Sequence, residues 1–435
     1  MTPGAVATVV SGVHLKPMTS PTLEKPPVEK PGFVEFVCMI ALMMALNALA
    51  IDSMLPALPD IGASLGVENP NARQWVVTAY LLGFGGAQII YGPLADRYGR
   101  KPILFVGIGI YVAFSLLAMI APTFETLIMA RVGQGLGSAA TRVLAVSIVR
   151  DRFNGRTMAR VMSLSFLVFL GVPIIAPSVG QAILLVAPWE GIFGVLAFAG
   201  VALLVWAVLR LPETLHPDDR LPIQTRRIAL AFREVVTNRA SLGYTLAMTA
   251  ITGALFGFIN SSQQIFFDVF QAPALFTTVF ALIASGIALA SVVNAKLVER
   301  LGSRLISHWA LIGFIVMSTI HCLVVLSGHE SIWTFAVLQA LTMFCFGLLA
   351  GNFGSMAMEP MGHIAGTASS VQGFVSTILG SLTGFAIGQA FNGSVVPMIL
   401  GYVVCGVIAL GFVLYAEHGR LFVARHPLPG GLAAE

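Results

Sequence analysis

Long apolar stretches, separated by short polar turns, dominate this chain of 435 residues. A helix needs about 20 residues to cross the hydrocarbon core of a bilayer, which is ~30 Å thick. Twelve stretches meet this length and are predicted to span a membrane: 33–55, 75–94, 102–121, 124–148, 160–184, 190–211, 242–265, 275–296, 305–326, 332–354, 368–391 and 395–416. The pattern therefore predicts an all-α polytopic membrane protein embedded in a lipid bilayer.

Composition supports this class and excludes several functions. Hydrophobic residues make up 57% of the chain and charged residues only 10%, too few to cover a soluble protein of this size. The 8 His and 4 Cys show no metal-ligand spacing, and there is no Gly-rich phosphate loop. We therefore expect no enzyme activity, no metal and no cofactor. The net charge of +4 follows membrane topology and predicts no nucleic-acid partner.

The apolar stretches fall into two groups of six. A charged segment at 212–240 separates a first half at 33–211 from a second half at 241–416. Residues 1–32 are rich in Pro, Thr, Ser and Lys and are predicted to be a disordered tail, and 417–435 form a second tail.

Basic residues indicate how the chain is oriented. If both ends lie in the cytoplasm, Lys and Arg gather on the cytoplasmic side in every loop, as membrane proteins prefer. Of the 24 Lys and Arg, only Arg73 falls in an outer loop, and only Arg131 and Arg142 fall deep within a span. The distribution predicts an even number of spans with cytoplasmic termini.

The turn between spans 2 and 3 has the most specific sequence. Its run at 92–104 places four charges between two apolar spans, so it must lie at a membrane surface. We expect Asp96 to accept hydrogen bonds from a helix N-terminus and from Arg97 or Arg100, and so to hold the turn against span 11. A degraded copy at 299–304 joins the same spans of the second half. The residues of this predicted gating motif are Gly92, Asp96, Arg97, Gly99, Arg100 and Lys101.

The motif G-x-L-A-D-R-x-G-R-K at 92–101 resembles the corresponding loop of the major facilitator superfamily. Segments 51–59, 131–135, 149–153 and 363–370 extend the resemblance to the Bcr/CflA group of drug:proton antiporters, the bicyclomycin and chloramphenicol resistance type. The resemblance implies a major facilitator fold of twelve transmembrane helices in two six-helix halves, in the cell inner membrane. It also implies alternating access, with substrate bound near the midplane between the halves.

Span 5 carries a segment that is characteristic of antiporters in that family. Gly171, Pro173, Pro177 and Gly180 lie within ten positions of one another. Two prolines kink a helix, and glycines let a neighbouring helix approach closely, so this span is expected to seal the protein between its halves. The alternative is the ordinary tolerance of membrane helices for Pro and Gly.

Asp52 is the residue we expect to couple transport to protons. A carboxylate deep in a membrane helix is costly, and loss of hydration favours its neutral, protonated form. Arg131 lies at a similar depth in span 4, so we expect the two to pair when Asp52 is ionised. In relatives, the arginine matching Arg131 is a functional residue at the cavity. The alternatives are that Asp52 is a structural partner for a cation, or lies at the outer mouth near Pro56.

Arg142 follows Arg131 by three turns on nearly the same helix face. It is expected either to contact an anionic or polar substrate or to extend towards the inner headgroups. Polar residues in other spans are predicted either to line a substrate cavity or to join helices through hydrogen bonds. These residues are Asn47, Tyr80, Gln134, Asn260, Gln263, Asn352 and Gln372.

Together these features predict a monomeric, proton-coupled efflux transporter whose partners are protons and a small-molecule substrate. The alternative is a proton-coupled or facilitative carrier for a specific metabolite, which would have the same fold. Loss of the protein would cause drug sensitivity in the first case and failure to grow on a nutrient in the second.

The distribution of basic residues generates a topological prediction. A reporter fused after Glu435 should be active only in its cytoplasmic form, because translocating the basic loops would oppose the charge bias. Paired alkaline phosphatase and fluorescent-protein fusions measure this, and phosphatase activity at Glu435 would contradict an even number of spans.

Overall fold

The computed structural model describes residues 31–222 and 225–422. The predicted disorder of residues 1–30, and most of the predicted C-terminal tail, lie outside the described residues. The described residues form fourteen α-helices: α1 (Phe33–Asp52), α2 (Leu58–Ser64), α3 (Trp75–Tyr98), α4 (Arg100–Met119), α5 (Phe124–Arg152), α6 (Gly155–Leu184), α7 (Glu190–Arg210), α8 (Thr225–Thr237), α9 (Arg239–Gln264), α10 (Phe276–Leu301), α11 (Ser303–Leu326), α12 (Ile332–Met358), α13 (Ala365–Gln389) and α14 (Val396–Ala416).

Twelve of these helices are long and apolar enough to cross a membrane. Eleven continuous helical segments qualify, and the longest of them, Ile332–Gln389, contains both α12 and α13. A 3₁₀ turn at Glu359–Ile364 separates those two helices. Helices α2 and α8 are short and do not span. The predicted all-α fold with twelve spanning helices is therefore confirmed.

Several spanning helices run beyond the apolar stretches that predicted them. Helix α3 continues to Tyr98, α5 to Arg152 and α10 to Leu301, each about one turn past its predicted end. Hydropathy marks only the part of a helix that lies in hydrocarbon, so it misses turns that extend into the polar region.

The first span ends earlier than predicted. Helix α1 stops at Asp52, and the chain continues through a 3₁₀ turn at Leu55–Ala57 into α2. Pro56 explains the change, because it has no N–H to donate to the Asp52 carbonyl oxygen four residues earlier. Ile51 to Leu58 nevertheless remain buried, so this irregular segment is packed inside the protein.

The two ends of the helix bundle differ in the connecting segments that lie there. The described parts of the segment that joins the six-helix halves, 211–222 and 225–238, lie at one end together with the turns at 98–100 and 301–303. We call this end the linker face and the opposite end the far face. Helices α3 and α13 pack against each other across the two halves, as do α6 and α10.

Close helix contacts in the first half depend on glycine. A Cβ atom at Gly83 of α3 would overlap the carbonyl group of Val132, and one at Gly135 of α5 would overlap the carbonyl group of Tyr80. Small residues thus let the backbones of α3 and α5 touch, as is usual in membrane helix packing.

Helix α8 makes the linker more structured than the predicted charged segment. Its Val235 packs with Met361 and Ala368 at the start of α13, and the Glu234 carboxylate lies 2.8 Å from His363 Nε2. On the other side of the linker, the Leu221 amide donates to the Asp96 carbonyl oxygen at 3.0 Å. The linker is therefore attached to both halves.

The turn between α3 and α4 is held by carboxylates from three places in the chain. Arg100 Nη1 lies 2.6 Å from Asp96 and Arg100 Nε lies 2.8 Å from Asp151 at the end of α5. The Glu213 carboxylate accepts the amides of Arg100 and Lys101 at 2.9 and 3.1 Å, and so caps the N-terminus of α4.

The second half repeats this arrangement with different residues. Arg304 at the start of α11 lies 2.8 Å from Glu359, after α12, and 3.0 Å from Glu417, after α14. Glu417 follows the last helix of its half, as Glu213 does in the first half, but it contacts the arginine side chain at Nε. The weak sequence copy at 299–304 therefore reflects a shared structure.

Both turns use a glycine at a backbone conformation that other residues avoid. Gly99 has φ 101° and Gly302 has φ 77°, each with ψ near the extended region. A Cβ atom at Gly99 would lie 2.6 Å from Glu213 Oε2, whereas one at Gly302 would meet nothing within 4 Å.

These two glycines provide a matched pair of substitutions. Gly302→Ala should cost about 1–3 kcal/mol of stability from backbone strain alone. Gly99→Ala should lower the thermal denaturation midpoint in detergent further, because it also displaces the Glu213 cap. Equal shifts for the two variants would show that Glu213 does not stabilise the turn.

Candidate functional site: a central cavity closed at the far face

Side-chain amides join the two halves at the far face. Gln74 at the start of α3 donates to Gln264 Oε1 at 2.7 Å and to the Gly388 carbonyl oxygen at 3.0 Å. Gln264 in turn donates to Asn71 Oδ1 at 2.7 Å, and Gln389 Nε2 donates to the Asn71 carbonyl oxygen at 2.7 Å. We call Asn71, Gln74, Gln264 and Gln389 the amide seal. It closes the far end of the space between the halves.

The seal extends one turn into the bundle. The Thr78 hydroxyl lies 3.4 Å from Asn260 Oδ1, and the ring of Trp75 lies 4.3 Å from that of Phe385. Asn260 was predicted either to line the cavity or to join helices, and the structure places it in this contact between halves.

A cavity lies between the halves on the linker side of this seal. Its volume is about 540 Å³. A second region of about 410 Å³ shares Gln88, Arg142 and Ser369 with it and continues past Asp96 and Arg150 towards the linker face. The wall combines apolar and polar side chains from α3, α5, α9, α12 and α13: Phe84, Gln88, Arg142, Met248, Met358, Gln372 and Thr377.

Two of the predicted substrate-binding residues lie in this wall. Arg142 lines both regions, and Gln372 lines the larger one while donating to Ser241 Oγ at 3.4 Å. The Arg142 guanidinium carbon lies 5.5 Å from the centre of the Phe166 ring and 5.8 Å from that of Phe169, both on α6.

Two other predicted substrate-binding residues are structural. The Tyr80 hydroxyl lies 2.7 Å from Ser138 Oγ, and Gln134 Nε2 donates to Ser115 Oγ at 2.8 Å. Both side chains are fully buried among α3, α4 and α5. They join helices within the first half and do not line the cavity, which is the second of the two roles predicted for them.

The remaining predicted polar residues also lie outside the cavity wall described above. Asn352 donates to Asn294 Oδ1 and to the Leu348 carbonyl oxygen, each at 2.8 Å, and so joins α12 to α10. Asn47 Nδ2 and Gln263 Nε2 are buried and have no hydrogen-bond partner among the described residues.

Arg131 is held by neutral acceptors. Its Nε donates to the Val76 carbonyl oxygen at 2.8 Å, its Nη2 to the Ala50 carbonyl oxygen at 3.1 Å, and its Nη1 to Gln134 Oε1. The guanidinium also lies 4.5 Å from the centre of the Tyr80 ring. Arg131 therefore ties α1, α3 and α5 together at the level of Ala50.

Asp52 lies two residues beyond Ala50 but does not pair with Arg131. Its side chain is buried, and it forms no ion pair or hydrogen bond with any other described residue. Arg131 and Asp52 do lie at a similar depth, as predicted, because Arg131 contacts the carbonyl oxygen of Ala50 near the end of α1. The predicted ion pair is absent from this structure, in which carbonyl and amide oxygens satisfy Arg131.

The antiporter-type segment of α6 packs directly beside Asp52. A Cβ atom at Gly180 would overlap the Ser53 carbonyl group, and Val172 and Ala176 pack with Ala45 and Ala48 of α1. Gly171, in contrast, faces open space. The expected close approach therefore occurs at Gly180 and not at Gly171. Pro173 and Pro177 lie within the continuous helix α6.

The gating motif differs in two respects from its predicted arrangement. Asp96 pairs with Arg100, as expected, but Glu213 and not Asp96 caps the helix N-terminus. Asp96 lines the mouth of the cavity opposite Gly366 of α13, without a hydrogen bond to that helix. Arg97 is exposed. Sequence reasoning missed Glu213, although its match with Glu417 at the end of each half was a usable signal.

Known proteins identify the family to which this fold belongs. The sequence profile of the Major Facilitator Superfamily matches residues 40–385. The chain belongs to this superfamily. It is a multi-pass membrane transporter and not an enzyme.

Curated relatives match over most of their length. The MFS-type transporter YdgK of Bacillus subtilis is 30% identical over 357 residues, which cover 80% of this chain and 87% of YdgK. The bicyclomycin resistance protein homolog of Haemophilus influenzae is 26% identical, covering 88% and 96%. The multidrug resistance protein MdtL of Escherichia coli O157:H7 is 26% identical, covering 90% and 98%. The resemblance to the bicyclomycin resistance group is thereby confirmed.

A solved structure shares the fold. The human organic anion transporter MFSD10 (TETRAN) superposes with a TM-score of 0.63, covering 90% of this chain and all of that chain, at 16% identity. At this identity the likeness concerns the fold alone.

The amide seal can be tested by labelling. Gln74→Leu removes three hydrogen bonds between the halves and leaves Gln264 Oε1 without its donor, which should open the far face more often. In a background without the native cysteines, Met248→Cys lines the cavity. Its labelling by an impermeant maleimide from the far face of oriented proteoliposomes should rise about tenfold.

Gln339→Leu provides the matched control for this experiment. Gln339 donates to the Tyr402 hydroxyl at 2.7 Å, a bond that lies within the second half. It should leave the labelling of Met248→Cys unchanged. An equal rise in both variants would mean that the seal does not control access from the far face.

Proposed function

We propose that this protein is a proton-coupled efflux transporter that exports small amphipathic compounds across the inner membrane by alternating access. The linker face is cytoplasmic in this proposal, and the protein works as a monomer. The names of its relatives, bicyclomycin resistance and multidrug resistance, support export as the direction. The cavity supports it as well, since it opens towards the linker face and combines apolar with polar side chains.

The observation that carries proton coupling is the isolation of Asp52. Ionising a buried carboxyl group that has no hydrogen-bond partner is costly, so in this proposal Asp52 carries the transported proton in the present conformation. Opening of the far face would hydrate Asp52 and permit its ionisation. The position therefore senses which face of the protein is open.

Arg131 provides a partner for the ionised form. Its Nη2 donates to the Ala50 carbonyl oxygen near the end of α1, so a movement of α1 that brings Asp52 to Arg131 would exchange a carbonyl acceptor for a carboxylate. Hydrogen bonds between charged groups are roughly twice as strong as neutral ones, which favours the exchange once Asp52 loses its proton. The packing of Gly180 against Ser53 would then transmit the movement of α1 to α6.

Asp52→Asn is expected to abolish uphill transport driven by a pH gradient while retaining downhill exchange. Because binding linkage is reciprocal, a substrate that displaces the proton should release protons from wild-type protein in weakly buffered detergent solution. Asp52→Asn should release none. Accumulation of a fluorescent amphipath in proteoliposomes with an imposed pH gradient measures the first effect.

Asp60→Asn is the matched control, since Asp60 lies in α2 close to Asp52 in sequence but is exposed. It should behave as wild type in both assays. Proton release that persists in Asp52→Asn would place the coupling site elsewhere. Growth on a nutrient that depends on the protein, without drug sensitivity on its loss, would favour a metabolite carrier instead.

A further inference from the structure

The cavity contains a positive charge that no described residue neutralises. Arg142 forms no ion pair, and its Nη1 is buried without a hydrogen-bond partner among the described residues. It forms cation–π contacts with Phe166 and Phe169, whose ring centres lie 5.5 and 5.8 Å from the guanidinium carbon. Aromatic faces stabilise a cation but leave its N–H donors free.

The surroundings of Arg142 add no negative charge. No carboxylate lies in the wall of the 540 Å³ cavity. In the adjoining region Asp96 is present, but it is paired with Arg100, and Arg150 adds a second arginine near the mouth. The route from the linker face to Arg142 is therefore electropositive, which attracts anions.

Arg131 shows that an arginine in this bundle can be fully satisfied. On the same helix α5, three turns away, it donates to Val76, Gln134 and Ala50. Arg142 has comparable burial of Nη1 but no such acceptors. Leaving a buried charged donor unsatisfied is costly, so the free donors of Arg142 point to an acceptor that arrives with the cargo.

The other side chains of the cavity wall indicate which groups the cargo carries in addition to the acceptor for Arg142. Phe84, Met248 and Met358 offer an apolar and adaptable surface, while Gln88, Gln372 and Thr377 offer neutral hydrogen-bonding groups. A guanidinium matches the planar fork of a carboxylate. We propose that Arg142 binds the carboxylate of a small aromatic carboxylic acid whose ring lies against the apolar wall, so that anionic amphipaths are the preferred cargo.

That anionic amphipaths are transported rests on the proposed function, but their binding to Arg142 can be tested separately. Dansylglycine and dansylglycinamide share a fluorescent aromatic body and differ in a carboxylate against a neutral amide. Purified wild-type protein in detergent should bind dansylglycine about ten to a hundred times more tightly, the range expected for a hydrogen bond to a charged group. Fluorescence titration measures both affinities.

Variants separate the charge from the rest of the cavity. Arg142→Gln should bind both probes equally, with little change for dansylglycinamide. Arg142→Lys keeps a charge without the fork and should retain part of the preference. Arg226→Gln, an exposed arginine on α8, should keep the full preference. A preference that survives in Arg142→Gln would overturn the proposal.

Wild-type protein alone also decides the matter if the variants do not fold. Equal affinity for the two probes would overturn the anionic class, and normal expulsion of both from proteoliposomes would leave export standing. A strong preference for dansylglycine, without pH-driven movement of it, would keep the binding site and overturn proton-coupled export.

Discussion

The amide seal at the far face decides where the protein is open. Asn71, Gln74, Gln264 and Gln389 exchange hydrogen bonds across the halves, and the cavity opens at the other end because these residues close this one. The seal uses neutral groups, each bond of which contributes about 0.5–1.5 kcal/mol net. Such bonds hold the closed state and are still released when water offers replacement partners, as the proposed alternating access requires. Their strength also does not change with pH, so a pH signal must enter elsewhere.

Sequence alone could predict the helices and most of the topology, because hydropathy reports a property of each segment by itself. The twelve spans and the gating turn followed in this way. The contacts of Arg131 did not, since its acceptors come from Val76 and Ala50, on two other helices. A backbone carbonyl group carries no mark in the sequence, so an arginine that uses one looks the same as an arginine that is free.

The end of α1 and the cap of α4 were mispredicted for related reasons. Hydropathy carries the first span to Leu55, although its helix ends at Asp52 and a 3₁₀ turn that contains Pro56 follows. The cap comes from Glu213, which is 113 residues from Arg100, and a local reading assigns that role to the nearer Asp96. In both cases the deciding constraint lies in backbone geometry or in a distant residue.

Arg131 and Arg142 show how one residue type performs two tasks on one helix. The first fills its donors with protein oxygens and becomes part of the scaffold. The second lines the cavity, and its Nη1 has no hydrogen-bond partner among the described residues. Depth in the membrane does not distinguish them. The two arginines differ in whether a neighbouring helix approaches closely enough to place a carbonyl oxygen within reach of the guanidinium.

The linker has a consequence for the size of molecules that can enter. Leu221 is bonded to the end of α3, and α8, which begins at Thr225, is docked on the start of α13. These are the two helices that flank the mouth of the cavity. The two attachments lie at Leu221 and Val235, separated by four residues of chain that reach at most about 14 Å and ten residues of helix that reach about 15 Å. While both attachments hold, the linker limits how far the ends of α3 and α13 can move apart.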